Sequence, residues 1–121
     1  MEVHKTLGGG FLEVVYQDAL ELEFKQRGIV FSREYKIPIV YKGVRLGTHY
    51  YADFLCFDQI IVELKAIKRL AEKESVQVLN YLKATGLKRA LLIDFAAPSL
   101  EHKRLVNNLR PSAKSAVNES I

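Results

Sequence analysis

The stretch IIVELKA, residues 60–66, has the composition of a buried β-strand, yet it contains two charged residues. Strands that are covered on both faces are usually apolar nearly throughout and rich in Ile, Val and Leu. Because successive side chains in a strand alternate between faces, Glu63 and Lys65 share one face, and Ile60, Val62 and Leu64 take the other. This charged pair indicates either a structural ion pair or a functional site.

The residues before this stretch predict two more strands. The sequence IVFSREYKIPIVY, residues 29–41, alternates between apolar and polar residues, and Lys42-Gly43 forms a turn into VRLGTHYYADFLCF, residues 44–57. Pro38 favours a position at the sheet edge or at a bulge, because proline cannot donate a ladder hydrogen bond. With residues 60–66, these segments predict an antiparallel meander of three strands.

Three helices and one further strand are predicted around the meander. Residues 11–28 and 70–86 each repeat apolar residues every three or four positions and end in glycine, which is typical of amphipathic helices. The predicted apolar faces are Leu12, Val15, Tyr16, Ala19 and Leu22 in the first helix, and Leu70, Val76, Leu79 and Leu82 in the second. RALLIDF, residues 89–95, predicts a short buried strand, and residues 99–109 predict a last helix with Ser99 as its N-cap.

The predicted element order is therefore αβββαβα, a single α/β domain (α+β by some schemes) with a central mixed sheet flanked by helices. The chain has 121 residues, of which 49% are hydrophobic, enough for one core but not for two domains. We expect this domain to span residues 1–109 and the small, polar residues 110–121 to form a flexible tail.

Composition excludes some classes of protein and favours others. No apolar run approaches the roughly 18 residues of a membrane span, no secretion signal is visible, and the single cysteine, Cys56, has no disulfide partner in the chain. We therefore expect no membrane association and a reducing, cytoplasmic environment. Residues 1–65 carry a net charge of −1 and residues 66–121 a net charge of +5, a basic half that is compatible with nucleic acid as a partner.

A second acid precedes Glu63 by ten residues. If Phe57, Asp58 and Gln59 form a three-residue loop, Cys56 pairs with Ile60 and Asp53 lies opposite Glu63, with Cβ atoms roughly 4.5–5.5 Å apart. A two-residue loop instead places Asp53 diagonally, on the opposite face. The geometry of the acidic pair therefore depends on the turn.

Two adjacent carboxylates repel each other unless a positive charge compensates them. Mg²⁺ is a hard cation that binds carboxylate oxygens and water, so Asp53, Glu63 and Lys65 together are a minimal set for metal-assisted phosphodiester hydrolysis. A cross-strand ion pair of Lys65 with one of the acids explains the same residues. From these three residues alone, the ion pair is the favoured interpretation.

Other motifs favour a catalytic site over a structural ion pair. Asp53 followed by Glu63-Leu64-Lys65 resembles the D…(D/E)xK core of the PD-(D/E)XK nuclease superfamily, and Gln77 with Tyr81 resembles the Q-x-x-x-Y motif of its RecB-like branch. GFLEVVY, residues 10–16, resembles the signature of the GxxExxY protein family, a small branch of the superfamily. The resemblance extends from about residue 3 to residue 106 and implies the nuclease fold.

The resemblance implies a metal site and names its ligands. Asp53 and Glu63 are expected to be the principal ligands of Mg²⁺ or Mn²⁺ and thereby catalytic, Glu13 completes the site, and the Leu64 carbonyl is a further ligand. Glu13 is open to another interpretation, since an acid in the first turn of a helix also complements the helix dipole.

The resemblance also assigns three polar side chains to catalysis. Lys65 is expected to be the catalytic amine, while Gln77 and Tyr81 orient Lys65 or the scissile phosphate. Because Gln77 and Tyr81 are four residues apart, they share one helix face. Packing in the core is the alternative role of Tyr81.

The chain differs from the family pattern at two positions near the quoted motifs. Gly9 stands where the family usually has proline, and Glu74 stands where members often have histidine.

Together these features predict a metal-dependent nuclease acting on DNA. The main alternative is a non-catalytic module on the same fold that binds nucleic acid or protein, and a small-molecule phosphoesterase is a third interpretation. A domain of this size leaves little room for separate substrate recognition, which favours a homodimer or a partner protein.

Overall fold

A five-stranded mixed sheet organises the chain, of which the computed structural model describes residues 1–96 and 100–107. The helices are α1 (Glu2–Leu7), α2 (Glu13–Gln26) and α3 (Glu72–Thr85), and the strands are β1 (Phe31–Tyr41), β2 (Val44–Cys56), β3 (Ile60–Lys65), β4 (Arg89–Asp94) and β5 (Glu101–Val106). The strand order is β1-β2-β3-β4-β5, and β3 and β4 are the one parallel pair. Helix α3 makes the crossover that this parallel pair requires.

The predicted fold class is confirmed, and so is the meander of three strands. Lys42 and Gly43 join β1 to β2 with φ angles of 50° and 79°, the left-handed pair that a two-residue hairpin turn of type I′ requires. Pro38 lies on β1, an edge strand, and the register of β1 against β2 shifts between Pro38 and Val40. Proline therefore occupies the edge and irregularity that its missing N–H predicts.

The predicted last helix is wrong. Residues 101–106 form β5, which pairs antiparallel with β4 so that Leu105 lies opposite Ala90 and His102 opposite Ile93. Without β5, the N–H and C=O groups along one side of the apolar strand β4 would lack partners in the sheet, a tertiary requirement that local sequence does not display. The proposed N-cap Ser99 and the predicted tail, residues 110–121, lie outside the described residues.

Helices α2 and α3 cover opposite faces of the sheet. One core cluster joins α2 residues Tyr16, Leu20 and Phe24 to alternate residues of β2 and β3, including Phe54 and Val62. A second core cluster joins α3 to the intervening residues of the same strands.

The second cluster includes Val78 and Leu82 of α3 together with Leu55 and Ile61. The alternation of side chains along β2 and β3 thus builds two cores, one on each side of a single sheet.

The apolar face predicted for α2 is partly wrong, since Leu12 and Leu22 are 75% and 56% exposed. The buried face is Tyr16, Gln17, Leu20 and Phe24. Periodicity did not indicate it because a polar residue, Gln17, occupies one of its positions. On α3 the predicted Val76 is likewise exposed, whereas Leu82 is buried as predicted.

A glycine-rich loop connects α1 to α2 and is held by Tyr16. The Tyr16 hydroxyl donates to the Gly8 carbonyl at 2.6 Å and accepts from the Phe11 N–H at 3.2 Å, and its ring stacks on Phe95 at 4.6 Å between centroids. At Gly9, a Cβ atom would lie 2.7 Å from the Ala96 carbonyl oxygen. The loop therefore rests against the end of β4, and this contact sets where α2 begins.

Gly9→Ala should destabilise the domain because the added methyl group would collide with the backbone carbonyl of Ala96. A change of side-chain rotamer cannot relieve this collision, since the carbonyl belongs to the backbone. We expect a loss of about 1–3 kcal/mol in the free energy of unfolding, measured by urea denaturation. Gly47→Ala is the matched control, since Gly47 lies in β2 with no atom within 4 Å of an added Cβ. Equal stability of the two variants would contradict the proposed close contact of Gly9 with Ala96.

Candidate active site

The acidic pair lies where β2 and β3 stop pairing. Phe57, Asp58 and Gln59 form the turn, and the ladder joins Cys56 to Ile60 and continues to Phe54 opposite Val62. Asp53 and Glu63 are the next residues on the two strands. The three-residue loop is therefore confirmed, and the acids stand at neighbouring positions as that loop predicts.

Carboxylates replace the next rung of the ladder. The Asp53 N–H donates to Glu63 Oε1 at 3.0 Å, and the Leu64 N–H donates to Asp53 Oδ2 at 2.7 Å. Each strand thus satisfies a backbone donor of the other strand through an acidic side chain rather than through a carbonyl. The regular ladder ends here, and the two carboxyl groups are held next to each other between the strands.

Burial disfavours ionisation of these two acids. Burial raises the pKa of Glu63 to about 8, and the neighbouring charge of Asp53 raises it as well. The pKa of Asp53 is also raised, first by burial and then by the charges of Glu13 and Glu34. A group of acids with raised pKa values in one place is typical of functional sites, because such a place is suited to a compensating cation.

Lys65 follows the acids along β3 and contacts α3. Its amine donates to Gln77 Oε1 at 3.0 Å. Within residues 1–96 and 100–107, the ion pairs are Lys25–Glu21, Arg27–Glu23, Arg33–Asp18 and Arg33–Glu21. Lys65 thus lies near the carboxyls, where its charge lowers both their pKa values, but the described part of the chain does not join it to either as an ion pair.

Tyr81 lies one helical turn after Gln77 and is 5% exposed. Burial and, to a smaller extent, the charges of Glu63 and Asp53 together raise the pKa of its hydroxyl to about 12. Tyr81 also belongs to the core cluster on the α3 face. It therefore packs in the core and lies within electrostatic reach of the acidic pair, while its catalytic role stays a prediction.

The Leu64 carbonyl faces the acidic pair. The Lys65 carbonyl accepts from the Phe95 N–H on the β4 side of the strand, at 2.9 Å. Because neighbouring carbonyls in a strand point to opposite sides, the Leu64 carbonyl points to the β2 side, where its own N–H meets Asp53.

Glu13, the first residue of α2, approaches from the other face of the sheet. Its charge raises the pKa of both Asp53 and Glu63, so it lies within electrostatic reach of them. Over the described residues, no three His, Cys, Asp or Glu side chains are grouped closely enough to hold one metal ion. The structure brings Asp53 and Glu63 together without adding Glu13 as a third ligand, and its metal role stays a prediction.

Sequence patterns did not indicate Gln17 and Glu34, which support Asp53 from the α2 side. Gln17 Nε2 donates to Glu34 Oε2 at 2.7 Å and lies 3.5 Å from Asp53 Oδ1. Gln17 Oε1 accepts from Arg33 Nη2 at 3.1 Å. The one available signal was the spacing of Gln17, four residues after Glu13 on the same helix.

Two further acids fix the backbone around the site. Asp94, fully buried at the end of β4, accepts from the N–H groups of Ile67 and Ala96 through Oδ1, each at 3.1 Å, and so holds the chain that leaves Lys65. Glu74 accepts from the Ala71 N–H at 2.8 Å at the start of α3. At the position where the resembling family often has histidine, this chain therefore has a helix-capping acid.

The sequence profile of the PD-(D/E)XK nuclease superfamily matches residues 1–105. The chain belongs to the PD-(D/E)XK nuclease superfamily. This match includes all three helices and strands β1 to β4, and therefore the acidic pair and Lys65 on β2 and β3 and Gln77 on α3. A comparison with curated proteins finds no significant match.

A solved structure shows the same fold. The crystal structure of a protein designated SSO0001 is similar with a TM-score of 0.64 and 16% sequence identity over 84% of this chain. The similar region is 53% of the SSO0001 chain, so this domain corresponds to about half of that protein. Among residues 1–96 and 100–107, no helix is long and apolar enough to cross a membrane.

Glu63→Gln should flatten the dependence of stability on pH. Glu63 is protonated in the folded chain up to a pH of about 8 but ionises above its ordinary pKa of 4.5 when unfolded. Between these values unfolding releases a proton, so the free energy of unfolding falls as pH rises, by up to about 1.4 kcal/mol per pH unit. Glutamine retains the hydrogen-bond acceptor and has no charge, so the variant should lose much of this slope.

Urea denaturation between pH 5 and pH 9, without divalent metal, measures the effect. Glu72→Gln, an exposed acid in the first turn of α3, is the control and should keep the wild-type slope. Parallel profiles for wild type and Glu63→Gln would show that Glu63 is ionised in the folded chain at neutral pH.

Proposed function

We propose that the domain is a metal-dependent nuclease that hydrolyses phosphodiester bonds of DNA. The observation that carries this proposal is the pair of buried Glu63 and half-buried Asp53, held between two diverging strands with Lys65 beside it on β3. Membership of the superfamily supports a nuclease-like function, while the substrate and the chemistry are inferred from the site.

The residues at this site suit a divalent cation. Their donors are carboxylate and carbonyl oxygens, which Mg²⁺ and Mn²⁺ prefer, and the raised pKa values of Asp53 and Glu63 indicate that positive charge is needed to keep both ionised. Asp53, Glu63 and the Leu64 carbonyl would hold the ion, with Glu13 as a fourth donor. When bound, the cation supplies charge that neutralises the phosphate and lowers the pKa of water.

Side chains from β3 and α3 perform the remaining tasks. Lys65 orients the attacking water and assists removal of its proton, as a positioned amine can. Gln77 accepts a hydrogen bond from Lys65 and so positions its amine. Tyr81, next to the carboxyls, excludes water from one side of the site and orients the phosphate.

The finer identity of the protein is also a proposal. The motif Gly10-x-x-Glu13-x-x-Tyr16 supports the GxxExxY branch of the superfamily, and a free, buried Cys56 fits a cytoplasmic location. The excess of basic residues after residue 65 supports DNA as the partner. We propose that a homodimer or a partner protein supplies further substrate recognition.

The alternative function is a non-catalytic module that binds nucleic acid or another protein on the same fold. The long, basic and aromatic hairpin of β1 and β2 favours this alternative as much as it favours a nuclease, because binding requires no cleavage. Cleavage of DNA that depends on Mg²⁺ and on Lys65 separates the two, and competition by short nucleotides tests a small-molecule phosphoesterase.

Asp53→Asn should abolish the stabilisation by metal without unfolding the protein. Asparagine can still accept the Leu64 N–H, and loss of one charge should slightly stabilise the metal-free domain. Thermal melts with and without Mg²⁺ measure this by linkage: a ligand at 100 times its Kd stabilises by about 2.7 kcal/mol. The same Mg²⁺-induced shift in wild type and variant would place the metal elsewhere.

Lys65→Met should leave the domain folded and able to bind DNA while reducing cleavage by about 10²–10⁴-fold, the usual contribution of a proton-transfer group. Because Lys65 bonds to Gln77 rather than forming an ion pair in the described structure, little stability should be lost. Lys83→Met, an exposed cation on α3, is the control and should cut normally.

Melting, DNA binding and cleavage are measured on the same preparations. A Lys65→Met protein that cuts at the wild-type rate would remove Lys65 from catalysis. A variant that loses roughly 3–5 kcal/mol of stability would instead indicate a buried structural charge pair.

A further inference from the structure

A cleft of about 300 Å³ adjoins the acidic site between α3 and the hairpin of β1 and β2. It is lined by Tyr50, Lys73, Val76, Gln77, Asn80 and Tyr81. Two of these residues also border the acidic site: Gln77 bonds to Lys65, and Tyr81 is affected by the charges of Asp53 and Glu63. A ligand in the cleft would therefore contact Gln77 and Tyr81, the two side chains that also border the acidic site.

Tyr50 forms the outer wall of the cleft. It lies opposite Ile37 in the hairpin, is 47% exposed, and its ring centroid is 5.7 Å from that of Tyr81. The two rings are inclined by 41°. Tyr50 thus offers a partly exposed aromatic surface on a strand that is paired with β1, next to the ring of Tyr81.

The hairpin that carries Tyr50 has the charge of a nucleic-acid binding element. Strand β3 pairs with residues 54–56 of β2, so residues 44–52 extend beyond it and are paired with β1. Residues 35–52 contain Lys36, Lys42 and Arg45 but no Asp or Glu. Lys73 adds a further exposed cation at the cleft itself.

We propose that this cleft binds one unpaired nucleobase of the substrate strand, next to the phosphate that is cleaved. The base stacks on Tyr50, the Asn80 amide hydrogen-bonds to its edge, and Lys73 contacts a neighbouring phosphate. A base within a duplex is paired and stacked and enters such a cleft only after extrusion, which costs free energy. The preferred substrate is therefore a nucleic acid with an unpaired nucleotide beside the cleaved bond, such as an overhang, flap or loop.

This inference rests on the proposed nuclease function for the position of the cleaved bond, but base binding itself requires no catalysis. Tyr51 offers a matched control, since it is 48% exposed but lies opposite Lys36, on the other face of the hairpin from Tyr50. Tyr50→Ala and Tyr51→Ala each remove a similar exposed aromatic surface from the hairpin. Only Tyr50→Ala also changes the lining of the cleft.

The experiment compares wild type, Tyr50→Ala, Tyr50→Phe and Tyr51→Ala in EDTA, by fluorescence anisotropy with a single-stranded DNA oligonucleotide and with the blunt duplex of the same sequence. Loss of one stacked base predicts that Tyr50→Ala binds the single strand about 5- to 150-fold more weakly. Tyr50→Phe retains the ring and should bind like wild type, as should Tyr51→Ala. Duplex binding, which depends on phosphate contacts, should be the same in all four proteins.

Equal weakening in Tyr50→Ala and Tyr51→Ala, or none in Tyr50→Ala, would overturn the inference. So would a change of oligomeric state in Tyr50→Ala that accounts for its weaker binding, since that would identify the surface as a contact between copies of the chain. A thermal melt confirms that each variant is folded.

Cleavage of a duplex with a single-stranded overhang, measured with Mg²⁺, separates this inference from the proposed function. If the wild-type protein binds as predicted but does not cut, the proposed base-binding cleft is supported and the proposed nuclease function is contradicted. A wild-type protein that cuts, and whose Tyr50→Ala variant cuts and binds equally well, keeps the nuclease and refutes the cleft. A wild-type protein that does not bind single strands refutes the cleft whatever its cleavage activity.

Discussion

The site depends on two hydrogen bonds at the point where β2 and β3 separate. In each of them a carboxylate, rather than a backbone carbonyl, accepts from a backbone N–H of the neighbouring strand. The Asp53 N–H bonds to Glu63 and the Leu64 N–H bonds to Asp53. Each hydrogen bond satisfies a strand donor and also fixes an acid. The end of the sheet ladder and the formation of the acidic pair are therefore one structural event, and removing either acid would change both.

This arrangement has an electrostatic cost that links stability to function. Glu63 is buried and Asp53 half-buried, and because the pKa values of both are raised, ionising both acids in the folded chain is unfavourable. A bound cation would reverse this balance. In the proposed function, the same burial that weakens the metal-free domain at high pH would favour binding of a divalent ion, the usual compromise between stability and activity.

The supporting residues come from both faces of the sheet. Gln17 and Glu34 contact Asp53 or its surroundings from the α2 side, while Gln77 and Tyr81 reach Lys65 and the carboxyls from the α3 side. A site between two diverging strands is accessible to both layers, whereas a site on one face of a continuous sheet is not. This explains how Glu13, on a helix across the sheet from Gln77, still influences the acidic pair.

Local sequence by itself determined the meander and, once a three-residue turn was assumed, the pairing of Asp53 with Glu63. These depend on strand alternation and turn length, which are properties of short segments. The resemblance to the nuclease superfamily, rather than any periodicity, singled out Gln77 and Tyr81 and gave Lys65 a catalytic role. Tertiary structure alone decided that residues 101–106 form a strand, because the need for it lies in the unpaired edge of β4 rather than in their own pattern. It also decided that Gln17 faces inward, since a polar residue is buried only when distant partners such as Glu34 and Arg33 satisfy it.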